Sequence, residues 1–205
     1  MILLLLAAAY LLGSLSGSLL LGKLRGVDIR QLGSGNAGGT NALRTQGVMF
    51  ALGTVLIDIG KGVLAAWLAW HWLPASMWPW GGYACALAAV IGHVWPVFHG
   101  FRGGKGAATL VGALCVVWPM AVPVVLATWL LCLTLSGYVG LSTVLAGFSA
   151  LALALFTPEQ PLQLAFAVCA ALLLLFTHRA NLARLRAGTE PRFERVRVLG
   201  RLLRR

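Results

Sequence analysis

Acidic residues are scarce in this sequence: its 205 residues include only five Asp and Glu, against 16 Lys and Arg. Charged residues make up 10% of the chain, whereas 60% of the residues are hydrophobic and the mean hydropathy is +0.88. This composition excludes an ordinary soluble domain and indicates an all-α, polytopic integral membrane protein. No basic stripe with interleaved aromatic residues is present, so we expect no nucleic-acid partner. We interpret the net charge of +11 as a signal of membrane topology and of attraction to anionic lipid headgroups.

Cysteine is also rare, and the four cysteines have spacings that fit neither a zinc site nor the disulfide framework of a secreted protein. Because all four lie inside apolar runs, they are predicted to be small core residues, and no metal or other cofactor is expected. They are Cys85, Cys115, Cys132 and Cys169.

Long apolar runs indicate the membrane spans. Runs of roughly spanning length occupy about 1 to 22, 48 to 73, 82 to 98, 141 to 157 and 161 to 178. The first run has no basic region before it and no clear cleavage site, so we expect it to be retained as a span. The stretch from 107 to 135 carries Pro119 and Pro123 near its middle, which leaves one kinked helix or two short helices.

The charge of the loops decides between these two alternatives. Lys and Arg follow the first, third and last runs, and the loop from 71 to 81 contains neither. If 107–135 is a hairpin, every Lys and Arg cluster lies on one side of the membrane, as the positive-inside rule requires. We therefore predict one membrane domain, residues 1–205, with seven transmembrane helices, the N-terminus outside and the C-terminus inside.

The basic tail at 191–205 lies beyond the last predicted span. Phe193, Val196, Leu199 and Leu203 are spaced as one face of an arginine-rich helix. Such a helix would lie on the membrane surface; a disordered basic tail is the alternative.

Two glycine-rich polar segments follow apolar runs on the predicted cytoplasmic side. The first, GSGNAGGTNALR, runs from Gly33 to Arg44, and the second, GFRGGKG, runs from Gly100 to Gly106. Consecutive glycines allow positive φ and let an anion approach bare N–H donors. The second segment also holds Lys105 before a predicted helix N-terminus, whose dipole favours an anion. Flexible turns whose cations only set orientation are the alternative, but orientation does not require asparagines, threonine and paired glycines. Both segments are therefore predicted to bind anionic groups.

A third polar segment, THRANLARLRAGTE, begins where the last span ends. His178, Asn181 and Arg184 are spaced at i, i+3 and i+6, so they would lie along one side of a helix if it continues. This spacing makes them candidates for a shared site.

Ionisable residues inside the spans are costly in lipid and are often functional. His93 is such a candidate, with a structural hydrogen bond to a neighbouring helix as the alternative. Asp58 and Lys61 are three residues apart and are predicted to form an ion pair that is structural or orients the site.

Two motif matches fail in their context. GSGNAG spells the glycine pattern of a dinucleotide site, but no strand precedes it. GSLSG, from Gly13 to Gly17, spells the nucleophile-elbow pattern, which needs a strand-to-helix turn with a paired His and acid. On a membrane helix its glycines suit close packing, so Ser14, Leu15 and Ser16 are predicted to be ordinary helix positions.

The segments SGNAGGTNALR, GHVWPVFHGFRGGKGAAT and HRANLARLRAGTE, in this order, resemble the three signature regions of the bacterial acyl-phosphate-dependent glycerol-3-phosphate acyltransferases, the PlsY family. The resemblance implies a seven-helix enzyme of the bacterial inner membrane with its active site on the cytoplasmic face. Such an enzyme transfers a fatty acyl group from acyl phosphate to the 1-hydroxyl of sn-glycerol 3-phosphate, giving lysophosphatidic acid and phosphate. Gly39 stands where Ala is usual, and Gly137 and Gly140 stand where Arg and Ser are common in a fourth, weaker segment.

The resemblance implies a role for each polar segment. Because an acyl phosphate is already activated, the enzyme must hold two anions, orient the hydroxyl and stabilise the departing phosphate. We expect direct attack without an acyl-enzyme, with a substrate phosphate oxygen taking the proton; His93 or His178 as general base is the competing mechanism. The candidate catalytic residues are Ser34, Lys105, His178 and Asn181. The candidate substrate-binding residues are Gly35, Asn36, Gly38, Thr40, Asn41, Arg44, His93, Gly103, Gly104, Ser142 and Arg184.

Three other functions would also place polar groups in a membrane protein. An organic-phosphate transporter uses broken helices and midplane polarity, but here the polar segments cluster on one face and no inverted repeat is visible. An acyltransferase that uses acyl-CoA would need an adenine pocket, and none is evident. A purely structural membrane protein leaves the glycine-rich segments unexplained.

Overall fold

The computed structural model describes residues 1–156 and 160–202, and these residues form α-helices and short 3-10 turns without any β-strand. This confirms the all-α prediction for the described part of the chain. The α-helices are α1 (Ile2–Gly13), α2 (Gly17–Leu24), α3 (Gly39–Gln46), α4 (Val48–Trp72), α5 (Trp78–Val94), α6 (Ala107–Val117), α7 (Ala121–Ser136), α8 (Val139–Leu155), α9 (Pro161–Thr177), α10 (Arg179–Arg186) and α11 (Val198–Leu202). The chain divides into two compact units, Met1–Pro119 and Met120–Arg205.

The described helices include two that are long and apolar enough to cross a membrane: α4 and the segment Trp78–His99 that begins with α5. There are up to four such spans if the bent pairs α1 with α2 and α9 with α10 each form one span. Helices α6, α7 and α8 are shorter and apolar. The count of seven spans remains a prediction.

The stretch from 107 to 135 forms two helices. Helix α6 ends at Val117 and α7 begins at Ala121, with Pro119 in the break. Proline disfavours the α conformation for the residue before it, and Trp118 has φ −157° and ψ 70°. Pro123 is the third residue of α7, where an N–H would have no intrahelical acceptor. The two-helix alternative is therefore confirmed.

Small residues let the helices of the first unit pack closely. Helix α1 packs on α5 at Gly13 and Gly92, and α4 packs on α6 at Gly62 and Gly112. A methyl group at any of these glycines would overlap backbone atoms of the facing helix. Since lipid is as apolar as leucine, such close backbone approach is what favours helix association in a membrane.

The prediction that Ser14, Leu15 and Ser16 continue one helix is wrong. The chain breaks there, and α1 and α2 meet at an angle of 49°. An ion pair in α4 satisfies the backbone groups that the break releases. The Gly17 N–H donates to the carboxylate of Asp58 at 3.1 Å, and the Leu15 carbonyl accepts from the paired lysine at 2.9 Å. These partners make the break tolerable inside an apolar run, because unpaired backbone groups are costly in lipid.

In the second unit, α8 packs against both α7 and α9. Gly147 of α8 leaves room for the side chain of Leu174 on α9. Helices α9 and α10 meet at an angle of 56°, with His178 between them. The spacing of the third polar segment predicted one side of a continuous helix. The chain bends at His178 instead.

The C-terminal tail is not the single amphipathic helix that its apolar spacing predicted. It forms a 3-10 turn at Glu194–Val196 and the short helix α11, and Leu203 lies outside the described residues. Arg197, between the two elements, donates from Nε to the carbonyl of Leu135 near the end of α7 at 3.3 Å. The described part of the tail therefore packs on the second unit.

The cysteines divide into two groups. Cys85 is buried, as predicted, and Cys132 is half-buried, but Cys115 and Cys169 are exposed. The prediction of core positions is therefore wrong for the latter two. An apolar run in a membrane helix faces lipid as well as core, so its apolarity does not reveal which residues are buried.

Candidate active site

Asn41 organises the first glycine-rich segment. Its Oδ1 accepts from the Ser34 N–H at 2.9 Å, and its Nδ2 donates to the carbonyls of Ile29 at 3.1 Å and Leu32 at 2.9 Å. The side chain is buried. An amide suits this position because it combines an acceptor with two donors at one tip. The segment therefore folds back over helix α3, with Gly35 in a left-handed conformation at φ 71°.

The other candidates of the first segment lie around α3. Gly38 is the N-cap of this helix, Thr40 lies in its first turn and Arg44 lies in its last turn. The amide nitrogen of Asn36 lies against Gly38, where a Cβ would come within 2.6 Å of it. Ser34 and Arg44 are exposed.

The second glycine-rich segment folds back onto the end of α5. The N–H of Gly103 donates to the Val94 carbonyl, and the N–H of Gly104 donates to the His93 carbonyl, each at 3.1 Å. A Cβ at Gly104 would overlap the imidazole of His93, so this approach requires glycine. Lys105 is half-buried and lies two residues before α6.

These contacts correct one expectation about the glycines. The N–H groups of Gly103 and Gly104 are not bare donors, because they bind carbonyls of α5. The N–H of Gly35 likewise donates to the Leu32 carbonyl at 3.0 Å. Glycine allows close backbone approach at Gly103 and Gly104 and a left-handed conformation at Gly35. Contact of these positions with substrate remains a prediction.

Arg30, in the turn just before the first glycine-rich segment, links that turn to the second segment. Its Nη1 donates to the carbonyls of His99 at 2.8 Å and Arg102 at 3.3 Å. The carboxylate of Asp28 holds the guanidinium in place, at 2.8 Å from Nη2 and 3.0 Å from Nε. This hydrogen-bonded guanidinium holds the pKa of Asp28 below its ordinary value.

A buried ionic cluster lies next to the second segment. Asp58 and Lys61 form the predicted ion pair, with 2.9 Å between Oδ1 and Nζ. His93 of α5 completes the cluster, its Nδ1 lying 2.7 Å from the Lys61 Nζ and 3.4 Å from the Asp58 Oδ1. All three side chains are at most 5% exposed.

In the second unit, the third polar segment is organised by Glu190. Its Oε1 accepts from the Asn181 Nδ2 at 2.6 Å, and its Oε2 accepts from the Arg184 Nε at 2.8 Å. His178 is buried at the bend between α9 and α10, and its Nδ1 lies 2.8 Å from the Leu174 carbonyl. Because a carbonyl can only accept, Nδ1 carries the proton in the neutral ring and Nε2 carries the lone pair.

Ser142 is buried at the start of α8, and its hydroxyl donates to the Tyr138 carbonyl at 2.8 Å. Gly137, with φ 78°, is the C-cap of α7 and precedes α8. The Arg192 side chain occupies the space that a side chain at Gly137 would fill and lies over the Tyr138 ring, 4.5 Å from its centroid. The C-terminal segment thus supplies a cation to this loop.

Comparison with known proteins identifies the family. The model of the family described as glycerol-3-phosphate acyltransferase matches residues 3–188. Glycerol-3-phosphate acyltransferases of Synechococcus sp. and Symbiobacterium thermophilum are 43% and 44% identical to this chain over 192 and 184 residues. These alignments cover 93% and 89% of this chain and 94% and 90% of the relatives. The chain belongs to the glycerol-3-phosphate acyltransferase family.

Solved structures within this acyltransferase family agree. Two crystal structures of PlsY, an integral membrane glycerol 3-phosphate acyltransferase, are similar to the chain with TM-scores of 0.87 and 0.85 and 37% identity. The similarity covers 97% of this chain and 98% of each PlsY chain. One is the glycerol 3-phosphate form and the other the lysophosphatidic acid form. The resemblance to the PlsY family is thereby confirmed.

Within this acyltransferase, the candidate residues fall into two groups, one in each unit. The first unit holds the first two polar segments, and Arg30, just before the first, bonds to the second. The second unit holds the third, where Glu190 joins Asn181 and Arg184. The assignment of these residues to substrate is a proposal.

Sequence reasoning missed Arg30 and Glu190 as organising residues. A signal for them was present in the scarcity of acids: Asp28, Asp58 and Glu190 each hold a cation beside a polar segment. The rare carboxylates of this membrane protein therefore indicate which cations are held in place near the site.

Proposed function

We propose that this acyltransferase transfers a fatty acyl group from acyl phosphate to the 1-hydroxyl of sn-glycerol 3-phosphate. The hydroxyl oxygen forms a bond to the acyl carbon, and the bond between that carbon and the phosphate oxygen breaks. The leaving phosphate keeps the bonding electron pair, and a substrate phosphate oxygen takes the hydroxyl proton. The products are lysophosphatidic acid and inorganic phosphate.

The observation that carries this proposal is the joining of the two glycine-rich segments in the first unit. The Ala37 carbonyl of the first segment lies 3.0 Å from where a Cβ of Gly104 in the second would be. Arg30, three residues before the first segment, donates to the carbonyl of His99, just before the second segment, and to that of Arg102 within it. Arg44 and Lys105, one on each segment, are the cations that would offset the repulsion between two phosphate-bearing substrates. An already activated donor needs little more than such positioning.

A histidine acting as general base is the competing mechanism, and His178 has the suitable tautomer. Its Nε2 carries a lone pair because Nδ1 donates to the Leu174 carbonyl. Under direct, substrate-assisted attack, we expect His178→Gln to lower kcat by no more than about 10²- to 10³-fold, the effect of one lost donor, and to leave the shape of the kcat–pH profile unchanged. If the acid limb of the profile disappears in this variant, the histidine is the base and substrate assistance is wrong.

The cellular setting follows from loop charge and from the acyl chain. The acyl donor and the product carry long hydrocarbon chains, which stay in the bilayer. We place the active site at the cytoplasmic face of the bacterial inner membrane, because the glycine-rich segments are accompanied by Lys and Arg.

The function is tested by incubating the purified full-length protein, in detergent and in lipid vesicles, with labelled glycerol 3-phosphate and either acyl phosphate or acyl-CoA. We expect labelled lysophosphatidic acid and equimolar phosphate with acyl phosphate, and no product with acyl-CoA. Product with acyl-CoA alone, or uptake of glycerol 3-phosphate into vesicles without acylation, would contradict the proposal.

Two lysine variants test the role of Lys105 in acyl transfer. Lys105→Met should lower activity about 10²- to 10³-fold, as expected for loss of a group that stabilises transition-state charge. Lys23→Met, at the exposed end of α2, is the matched control and should keep wild-type activity. Equal activity of the two variants would remove Lys105 from the mechanism.

A further inference from the structure

The buried cluster of Asp58, Lys61 and His93 takes no part in the acyl-transfer step proposed above, although the sequence makes His93 a candidate substrate-binding residue. It lies in the first unit between α4 and α5, and it contacts two important backbone features. One is the break between α1 and α2, through Leu15 and Gly17. The other is the second glycine-rich segment, through the imidazole of His93.

The Lys61 ammonium has three protons, and three acceptor atoms lie within hydrogen-bonding distance of it. These acceptors are the Leu15 carbonyl at 2.9 Å, the Asp58 Oδ1 at 2.9 Å and the His93 Nδ1 at 2.7 Å. An ammonium group can only donate, so Nδ1 must offer its lone pair. The neutral His93 ring therefore carries its proton on Nε2.

Charge and distance support the same tautomer. Asp58 and Lys61 together are neutral, so an imidazolium would add an uncompensated charge to a buried cluster, next to an ammonium. The Asp58 Oδ1 lies 3.4 Å from the His93 Nδ1, which is longer than the 2.7–2.9 Å typical of charge-assisted hydrogen bonds. Asp58 thus holds Lys61 and does not take a proton from the ring.

The protonated nitrogen of His93 faces the glycine-rich segments. A Cβ at Gly104 would overlap Nε2 and would come within 2.8 Å of Cε1. The Ala37 carbonyl of the first segment lies beside the same position. Nε2 therefore lies where the two segments approach each other.

We propose that Lys61 and Asp58 are positioning residues that fix His93 as the Nε2–H tautomer, so that His93 donates a hydrogen bond to a phosphate oxygen of the substrate bound between the two segments. Identification of that ligand rests on the proposed function, whereas the tautomer does not. His93 is then a donor that stabilises anionic oxygen, and it is not the general base. Hydrogen-bond partners of metal-bound histidines fix the tautomer and the orientation of the ring in the same way.

The tautomer is tested on the intact wild-type chain by nitrogen NMR. The full-length protein is labelled with ¹⁵N-histidine in detergent; it has four histidines, and the spectrum of His93→Gln assigns the His93 signals. We expect a protonated, pyrrole-like Nε2 and an unprotonated, pyridine-like Nδ1. Addition of glycerol 3-phosphate should shift the Nε2 signal without deprotonating it. The opposite tautomer, an imidazolium, or no shift with a saturating ligand would overturn the proposal.

The activities of two His93 variants distinguish a hydrogen-bond donor from a general base. Glutamine places an amide N–H near the position of Nε2, whereas asparagine places it near Nδ1. We expect His93→Gln to keep activity within about tenfold of wild type and His93→Asn to lose about 10²-fold, as for one lost donor. Equal, large losses in both folded variants would overturn the donor role.

Two controls complete the experiment. His71→Gln should leave activity and the His93 signals unchanged, because His71 lies in the last turn of α4 and stacks on Trp67. Lys61→Met should change the His93 tautomer in protein that remains folded; an unchanged Nε2–H signal there would overturn the role of Lys61. If the wild type shows the expected tautomer but transfers no acyl group, the proposed function fails and the tautomer stands.

Discussion

At the scale of single residues, the site depends on carboxylates and amides that use all of their hydrogen-bonding atoms. Asn41 satisfies three backbone groups, and Glu190 satisfies two side chains. Such fully used groups position their neighbours, because loss of one partner leaves another buried polar group unpaired. The polar composition of the first glycine-rich segment made Asn41 a substrate-binding candidate, and that role stays a prediction.

Glu190→Gln is predicted to lower acyl transfer about 10²-fold, the effect expected when a catalytic group is misplaced by about 1 Å. The amide would put an N–H₂ group against either Asn181 or Arg184 and so break one of the two hydrogen bonds. Activity with acyl phosphate and labelled glycerol 3-phosphate measures the effect. Glu194→Gln is the control: Glu194 is exposed and lies 3.5–3.8 Å from its arginine partners, and such pairs contribute little. Similar losses in both variants would contradict a specific role of Glu190.

A second prediction concerns pH. Because Arg30 lowers the pKa of Asp28 in the folded protein, the ion pair stabilises the fold fully above the ordinary Asp pKa of about 4. This contribution is lost as pH falls from there through the lowered, folded-state pKa. We therefore expect wild type to have a higher Tm than Asp28→Asn at neutral pH, with the difference shrinking below about pH 4. Thermal unfolding in detergent across this pH range measures the difference in Tm. A Tm difference that does not change with pH would contradict a stabilising ion pair between Asp28 and Arg30.

At the scale of elements, breaks in the helices position the polar segments. The break between α1 and α2 exposes backbone groups that bind the ionic cluster, and the bend between α9 and α10 holds His178. Helix periodicity predicted neither angle, since both depend on partners that are distant in the sequence. Close helix packing at glycine, by contrast, was predictable from the spacing of small residues.

Glycines on α4 provide a matched test of that packing. Gly62→Ala is predicted to destabilise the protein by about 1–3 kcal/mol or more, because its methyl would come within 3.0 Å of the Ala113 nitrogen and overlap the Thr109 carbonyl. Gly60→Ala, on the same helix, has no atom within 4 Å of its Cβ and should be neutral or stabilising by up to about 1 kcal/mol. Unfolding midpoints in detergent compare the two, and equal stability would show that α4 and α6 do not pack as described.

At the scale of the whole molecule, loop charge predicts the orientation of the chain in the membrane. With seven spans, the loop at 71–81 lies outside and Arg102 and Arg186 lie inside. The variants are made in protein whose four native cysteines have been replaced. We expect Ser76→Cys to react with a membrane-impermeant maleimide in spheroplasts, which lack the outer membrane but keep the inner membrane intact. Arg102→Cys and Arg186→Cys should react only after the membrane is permeabilised. Labelling of Arg186→Cys from outside would contradict the count of seven spans.

The sequence by itself determined the membrane class, the main apolar helical segments, the three polar segments and the family. Composition, hydrophobic period and motif spacing are local properties of the sequence. Tertiary structure alone decided which groups those segments bind. Arg30 reaches a carbonyl 69 residues away, and the Gly17 N–H finds Asp58 across 41 residues. Such contacts depend on which helices pack together, and no local pattern encodes that choice.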